Sequence, residues 1–383
     1  MRGADKLRVA IVGAGMGGLT AAATLSRTGM QVDVFEQATR FARIGAGIQM
    51  LPNSMKVLRG IGVAEKLRAF AFQPKSHLNR VWDTGEVITD MPMPESRYGA
   101  PYLCMHRGDL HEALLSVVDS SAVHLNKRLV GLERDGGQVT LVFEDGTRHE
   151  ADAVVGADGL HSVVRGMILG PENPRFSGRV AYRGVFPAAL IRGPGISDSR
   201  TKWWGPDRHI VIYYTKASRD EVYFVTSVPE PAEWLTPESW SAKGDVFELR
   251  AAFEGFHPEV REVLAACPDC HKWAILERDP LPHWSEGRVA LLGDACHPMT
   301  PYMAQGAATA MEDAAVLARC IDASEDFESA FELYEAHRKP RTSRVQAISS
   351  ANTWMRSPSP DDPQWLYGYD AWTAPLQHPA PAS

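Results

Sequence analysis

The first residues able to do chemistry lie in Val12-Gly13-Ala14-Gly15-Met16-Gly17-Gly18, where Gly13, Gly15 and Gly18 meet a G-x-G-x-x-G spacing. Gly13 can take a tight turn, Gly15 has no side chain to hold a diphosphate off the backbone, and Gly18 permits close packing of helix on strand. A helix opening near Met16 would offer free N–H groups to an anion. Glu36 and Gln37 follow at the distance where a carboxylate can accept both hydroxyls of an adenosine ribose, which disfavours a 2′-phosphate. The turn therefore implies FAD or NAD rather than NADP, without choosing between the two.

Two other groups carry acid, base or thiol chemistry. In His209-Ile210-Val211-Ile212-Tyr213-Tyr214, strand alternation puts His209, Val211 and Tyr213 on one face. A His there can donate to a ring oxygen or carboxylate, and a Tyr can donate or relay a proton; the same run also reads as a packed aromatic strand. Cys267-Pro268-Asp269-Cys270-His271 matches the C-x-x-C-H pattern of covalent haem attachment. It occurs once, with neither an export signal nor a distal-ligand segment, and one C-x-x-C leaves a zinc shell half filled. No metal is expected, and the pair reads as thiols open to adventitious oxidation.

The elements that must position these groups begin with a βαβ unit: strand 7–12, helix 17–28 and strand 31–36. Strand-like 153–156 and 288–292 each run into an acidic, glycine-containing turn, and helical spacing resumes over 306–320 and 327–349. Between them, 76–93 and 178–228 are rich in short β-branched and aromatic runs that imply an antiparallel sheet. The expected architecture is α/β (α+β): a discontinuous Rossmann-like domain from 1–75, 100–177 and 278–350, a β-sheet substrate domain from 76–99 and 178–277, and a tail over 351–383. From about Ser357 the tail, rich in Pro and Ala, reads as irregular.

With 383 residues and 44% hydrophobic content the chain can bury a large core. Forty Lys plus Arg against 47 Asp plus Glu, without a long basic run, argue against nucleic acid as a partner. No apolar run reaches the roughly 18 residues of a membrane helix, and five scattered cysteines fit a reducing, cytoplasmic setting.

Asp152-Ala153-Val154-Val155-Gly156-Ala157-Asp158-Gly159, with His161-Ser162 and Arg165, resembles the DG motif of the single-component flavoprotein aromatic hydroxylases. Leu291-Leu292-Gly293-Asp294-Ala295-Cys296-His297-Pro298, then Ala304-Gln305-Gly306 and Met311-Glu312-Asp313-Ala314, resembles their GD motif and the helix behind it. The resemblance implies a para-hydroxybenzoate hydroxylase-like fold, bound FAD, NADH as transient electron donor with no second Rossmann domain, and oxygen delivered to an electron-rich ring. It assigns cofactor contacts to Gly13, Gly15, Met16, Gly18, Glu36, Gln37, Arg43, Gly47, Arg107, Asp158, Gly293, Asp294, Gln305, Gly306 and Ala307. Asp294 is read as a ribityl acceptor, Arg107 as a flavin-side cation, Asp158 as binding ribityl or a nearby water, and the N–H groups of 305–307 as donors to the flavin's pyrimidine carbonyl.

Within the family, Lys202-Trp203-Trp204-Gly205-Pro206-Asp207-Arg208-His209, Tyr213-Tyr214-Thr215, Tyr223-Phe224-Val225-Thr226 and Ala351-Asn352-Thr353-Trp354 most resemble the subgroup that hydroxylates 6-hydroxynicotinate and expels its carboxylate as carbon dioxide, with the salicylate hydroxylases next. The implied substrate is a small aromatic or N-heteroaromatic carboxylate, bound by His209, Tyr213, Gln49, Tyr302 and Val225, with His209 and Tyr213 catalytic. His297 is read as structural, and Pro298, Met299, Thr300 and Pro301 as the loop facing the substrate. Gln49 and Tyr302 stand where the resemblance leads to His, and Ala304 and Ala308 where it leads to Gly and Asn, which leaves other hydroxypyridine or hydroxybenzoate acids open. A non-hydroxylating flavoprotein and a plain NAD dehydrogenase are the rival classes; a monomer or homodimer is expected.

Overall fold

The computed structural model describes residues 7–43, 46–193, 195–231, 242–356 and 362–376; Ser357, named above, lies outside them. Its first layer is a six-stranded sheet in the order Ser285–Glu286, Val289–Leu291, Ala153–Gly156, Arg8–Val12, Gln31–Phe35, Val123–His124. All its neighbours pair in parallel except the edge strand Ser285–Glu286. Runs such as Val9-Ala10-Ile11-Val12 and Val289-Ala290-Leu291 are apolar without alternation because both faces are covered. Helices Met16–Arg27 and Gly306–Ala323 pack against each other at Gly17, where a Cβ would stand 3.2 Å from that of Ala310, and at Thr24, whose hydroxyl donates to the Ala314 carbonyl.

The second large sheet has eight strands, in the order Lys243–Gly244, Cys270–Glu277, Arg175–Pro187, Glu221–Pro229, His209–Tyr214, Arg200–Trp204, Ser76–Val81, Val87–Pro92. It is antiparallel at every step but one: Arg200–Trp204 runs parallel to Ser76–Val81. The antiparallel sheet expected from sequence is present, with this one parallel join that sequence did not suggest. Strand composition does not encode direction, and the join links segments more than 100 residues apart in the chain. Along this sheet, Lys202 stands opposite Val211 and Asn79, Trp204 opposite His209, and Val211 opposite Val225. Arg200, Lys202, Trp204, His209, Tyr213, Tyr223 and Val225 consequently share one face.

Residues 362–376 of the tail, expected to be irregular, dock on the core. Residues 364–367 form a helical turn, Leu366, Tyr367 and Ala371 are fully buried, and Trp372 packs so closely on Gly60 that a Cβ there would lie 2.2 Å from the indole. Lys56 donates to the Gly368 carbonyl at 2.7 Å, and Arg319 to those of Ala371 and Ala374. The Pro and Ala content hid an aromatic series, Trp365, Tyr367, Tyr369 and Trp372, that drives docking by area burial.

Behind the GD turn lies a buried charge network. Arg338 pairs with Glu312 and Asp313, Arg341 with Glu312, and His297 with Asp313. The five cysteines are unpaired and buried; burial pushes the thiols of Cys267 and Cys270 up to about 12 and about 11, so neither is poised as a thiolate. Among the described residues no helix is long and apolar enough to cross a membrane.

Candidate active site

A cavity of about 360 Å³ opens at the carboxyl ends of strands Arg8–Val12 and Val289–Leu291, where a doubly wound sheet places its ligand. One side is made by Gly15, Met16, Gly293, Asp294, Gly306 and Ala307. The opposite side comes from Gly47 and Gln49 on strand Gly47–Met50 and from Tyr213, Tyr223 and Val225 on the eight-stranded sheet; Pro298, Met299, Thr300 and Pro301 close it from above.

The glycine turn is built for a close-lying ligand. Gly13 takes φ +103°, and a Cβ on it would stand 2.5 Å from the Ala157 carbonyl oxygen; a Cβ on Gly18 would lie 1.9 Å from the oxygen of Gly13. At Gly15 the same construction meets nothing within 4 Å, and the free space it faces is the cavity. Helices Met16–Arg27 and Gly306–Ala323 both begin there without a side-chain cap, so two sets of unsatisfied N–H groups and two positive dipole ends converge. These features fit a flavin dinucleotide: the first helix end suits its diphosphate, the second an acceptor that gains negative charge on reduction.

The flanking polar groups vary in how directly they meet the cavity. Glu36 accepts from the Ala14 N–H through Oε2 at 2.9 Å and from the Ala38 N–H through Oε1 at 2.8 Å, which leaves each oxygen a further lone pair for a ribose hydroxyl. Gln37 beside it is exposed. Asp294 lines the cavity, its carboxyl pushed up by burial and drawn back by His297 and Arg107. Arg107 is ringed by protein yet open to the cavity; burial lowers its pKa against the pull of Asp294 and Tyr223.

The side chains of three residues expected at the cofactor turn elsewhere, which for Gln305 leaves its main-chain N–H at the helix start untouched. Asp158 turns its carboxylate onto the start of helix Val163–Leu169, accepting from the N–H groups of Val163 and Val164 and from the Ser162 hydroxyl, because those amides have no other partner. Gln305 is buried, accepts from the Asn53 amide at 2.9 Å and keeps its own Nε2 unpartnered. Arg43 forms an exposed ion pair with Asp109.

On the substrate side, Tyr213 is buried, and a Cβ on Gly47 would be 2.8 Å from its hydroxyl. Burial, then the neighbouring Tyr223 phenol, raise the Tyr213 pKa well above its ordinary value, so it is a proton donor at neutral pH. Gln49 accepts from the Tyr102 hydroxyl at 2.6 Å. His209 and Tyr302 lie outside the cavity wall: Tyr302 is hydrogen-bonded to Ser227 at 3.0 Å and stacks edge-on against His209, ring centroids 5.3 Å apart. Burial, with Lys202, Arg179, Arg200 and Arg356 nearby, holds His209 well below the usual histidine range, and it is neutral. His297 sits away from the cavity, bonded to Asp313.

Sequence reasoning missed Tyr223 and Arg183, both in the cavity wall. Alternation from Val225 on its own strand points to Tyr223; Arg183, over the Trp273 ring at 4.5 Å, is reached only through the register with the neighbouring strand.

A family model described as an FAD binding domain matches residues 6–349. Over 376 residues the chain is 45% identical to a 6-hydroxynicotinate 3-monooxygenase of Bordetella bronchiseptica, with 97% of each chain covered. Among solved structures, Klebsiella pneumoniae HpxO complexed with FAD and uric acid aligns with a TM-score of 0.80 and 30% identity, over 90% of this chain and 87% of its own. A salicylate hydroxylase in complex with its substrate aligns with a TM-score of 0.82 over 96% of both chains, at 24% identity, and shares the fold.

Proposed function

Since this chain belongs to the FAD-dependent aromatic monooxygenases, we propose that it catalyses the NADH-dependent, decarboxylating hydroxylation of 6-hydroxynicotinate to 2,5-dihydroxypyridine. The reaction takes two electrons from NADH, places one atom of oxygen on the ring carbon that carried the carboxylate, releases that group as carbon dioxide and sends the other oxygen atom to water. Bound FAD supplies the electron transfer from nicotinamide and the activation of oxygen.

The observation that carries this reading is one cavity shared by two uncapped helix ends and by Tyr213, Gln49 and Val225. Tyr213, kept protonated by burial, donates to the ring oxygen and steadies it as electron density is drawn from the ring. Gln49, held by Tyr102, fixes the neighbouring edge of the site, and Val225 with Met299 and Pro301 gives the ring an apolar seat that excludes water. Neutral His209 orders Tyr302 beside the site rather than exchanging a proton itself. We place the enzyme in the cytoplasm as a monomer or homodimer.

The test is NADH consumption by the purified flavoprotein with 6-hydroxynicotinate, salicylate and 4-hydroxybenzoate, recording product mass and carbon dioxide. Stimulation by 6-hydroxynicotinate with loss of carbon dioxide is expected. Because Gln49 and Tyr302 stand where the motif resemblance leads to His, a salicylate-type acid is the second reading, and selective stimulation by salicylate replaces the first.

A further inference from the structure

The face of the eight-stranded sheet that carries Tyr213 and Val225 also carries Arg200 and Lys202, cations the reaction has not used. Lys202 is 2% exposed and Arg200 5%. Neither side chain meets a carboxylate among the described residues, and the Nε of Arg200 is buried without a hydrogen-bond partner. The Nζ of Lys202 lies 3.6 Å from the centroid of Trp204 and 5.8 Å from that of Tyr302, an aromatic cradle whose Trp204 indole is fixed by Asn79 at 3.0 Å. The charged groups acting on Lys202 are Arg200, Arg356 and Arg179, all cations. Unpaired buried charge is costly enough that buried cations ordinarily stand beside an anion. Here the described residues supply none; neither cation lines the cavity itself, but Arg200 acts on Tyr213 in its wall and Lys202 lies against Tyr302 just behind it.

Resting on the reading of the site as one for a ring carboxylate, we propose that Arg200 and Lys202 form the anion subsite that holds the substrate's carboxylate and selects acids over their decarboxylated parents. The carboxylate provides the missing counter-charge, and the planar Arg200 fork adds direction to the point charge of Lys202. Trp204 and Tyr302 exclude water from the pair, which strengthens it.

Holoenzyme without NADH is titrated with two acid and parent pairs, 6-hydroxynicotinate with 2-hydroxypyridine and salicylate with phenol, reading the flavin's visible absorbance. Wild type is expected to bind at least one acid about tenfold or more tightly than its parent, and Lys202→Met and Arg200→Met to erase that preference while leaving the parent's affinity within about twofold. If either Met variant loses flavin, Lys202→Gln or Arg200→Gln takes its place. Equal loss of acid and parent, or a preference that survives both substitutions, overturns the subsite, as does a wild type that favours neither acid. A preference for salicylate alone, erased in the variants, sinks 6-hydroxynicotinate as substrate and leaves the subsite standing.

Discussion

The Tyr213 hydroxyl stands 2.8 Å from the point where a Cβ on Gly47 would be, and the Tyr223 ring 2.5 Å from the same point. Strand Gly47–Met50 thus touches the eight-stranded sheet through a residue with no side chain, and any side chain would push both phenols out of the cavity wall. Gly47→Ala is predicted to lower substrate-stimulated NADH oxidation by about tenfold or more, since displacement of a positioning group by an ångström carries penalties of that order. Turnover is counted per bound flavin, because Gly47 is also an expected cofactor contact in the cavity wall. Unchanged coupled turnover would show that the phenol positions are immaterial.

Tyr213→Phe removes one of the two phenols on the cavity's sheet side, with that of Tyr223, that burial keeps protonated. The expected result is a fall of about 10²-fold or more in coupled turnover, the range of a lost acid–base contact, with flavin retained. His209→Ala should reduce coupling less, because His209 reaches the site through Tyr302. Loss of flavin with normal coupling in the remaining loaded fraction would refute the assignment of both.

Two glycines in one motif should fail in opposite ways. Gly15→Val adds side-chain atoms in open space at extended backbone angles, so the melting temperature of the flavin-free protein should hold while flavin binding is lost. Gly18→Ala drives a Cβ into the Gly13 carbonyl, 1.9 Å away, and should destabilise the apoprotein by about 1–3 kcal/mol. Full flavin occupancy in Gly15→Val would remove that position from the cofactor site.

Local pattern made much of this legible. The glycine turn, the strands Ala153–Gly156 and His209–Tyr214, and the start of helix Gly306–Ala323 were readable because period and turn chemistry are short-range. Roles that depend on where a carboxylate turns were not: Asp158 was read as binding ribityl or a nearby water, yet backbone amides of helix Val163–Leu169 claim it. Arg200 and Lys202 went unnoticed because a Lys-Trp-Trp run gives no hint of which charges will lack partners. Parallel pairing of Arg200–Trp204 with Ser76–Val81 brings Asn79 to Trp204, a contact 125 residues apart in sequence.

Acid should unfold the protein in two stages. Burial holds His77 and His209 well below the usual histidine range and His337 at about 4, so the unfolded chain binds more protons than the folded one once the pH drops below about 6.5. Stability then rises with pH across that window and is lost as pH falls through it. Glu312 and Asp313 add a lower window: burial pushes them up, but Arg341 and Arg338 on the first, and His297 and Arg338 on the second, bring both net below ordinary values. Thermal melts between pH 7.5 and 4.5 should show a steady fall, shallower in His337→Gln; a flat profile would mean the histidines are not buried neutral.

Ala304 sits at φ +54° and ψ +37°, immediately before the uncapped helix Gly306–Ala323 and within the cavity wall. A side chain in this left-handed region costs about 1–2 kcal/mol, whereas glycine adopts it freely. Ala304→Gly also loosens the unfolded chain, which offsets about 0.4–1 kcal/mol. Strain relief outweighs chain entropy, so the variant is predicted to gain about 0.5–1 kcal/mol in denaturant unfolding at unchanged m-value. The backbone at 304 already has the geometry that glycine takes without strain, so flavin affinity should be equal or higher. A clear loss of stability would mean that the Ala304 methyl group packs against the loop strongly enough to outweigh its own backbone strain.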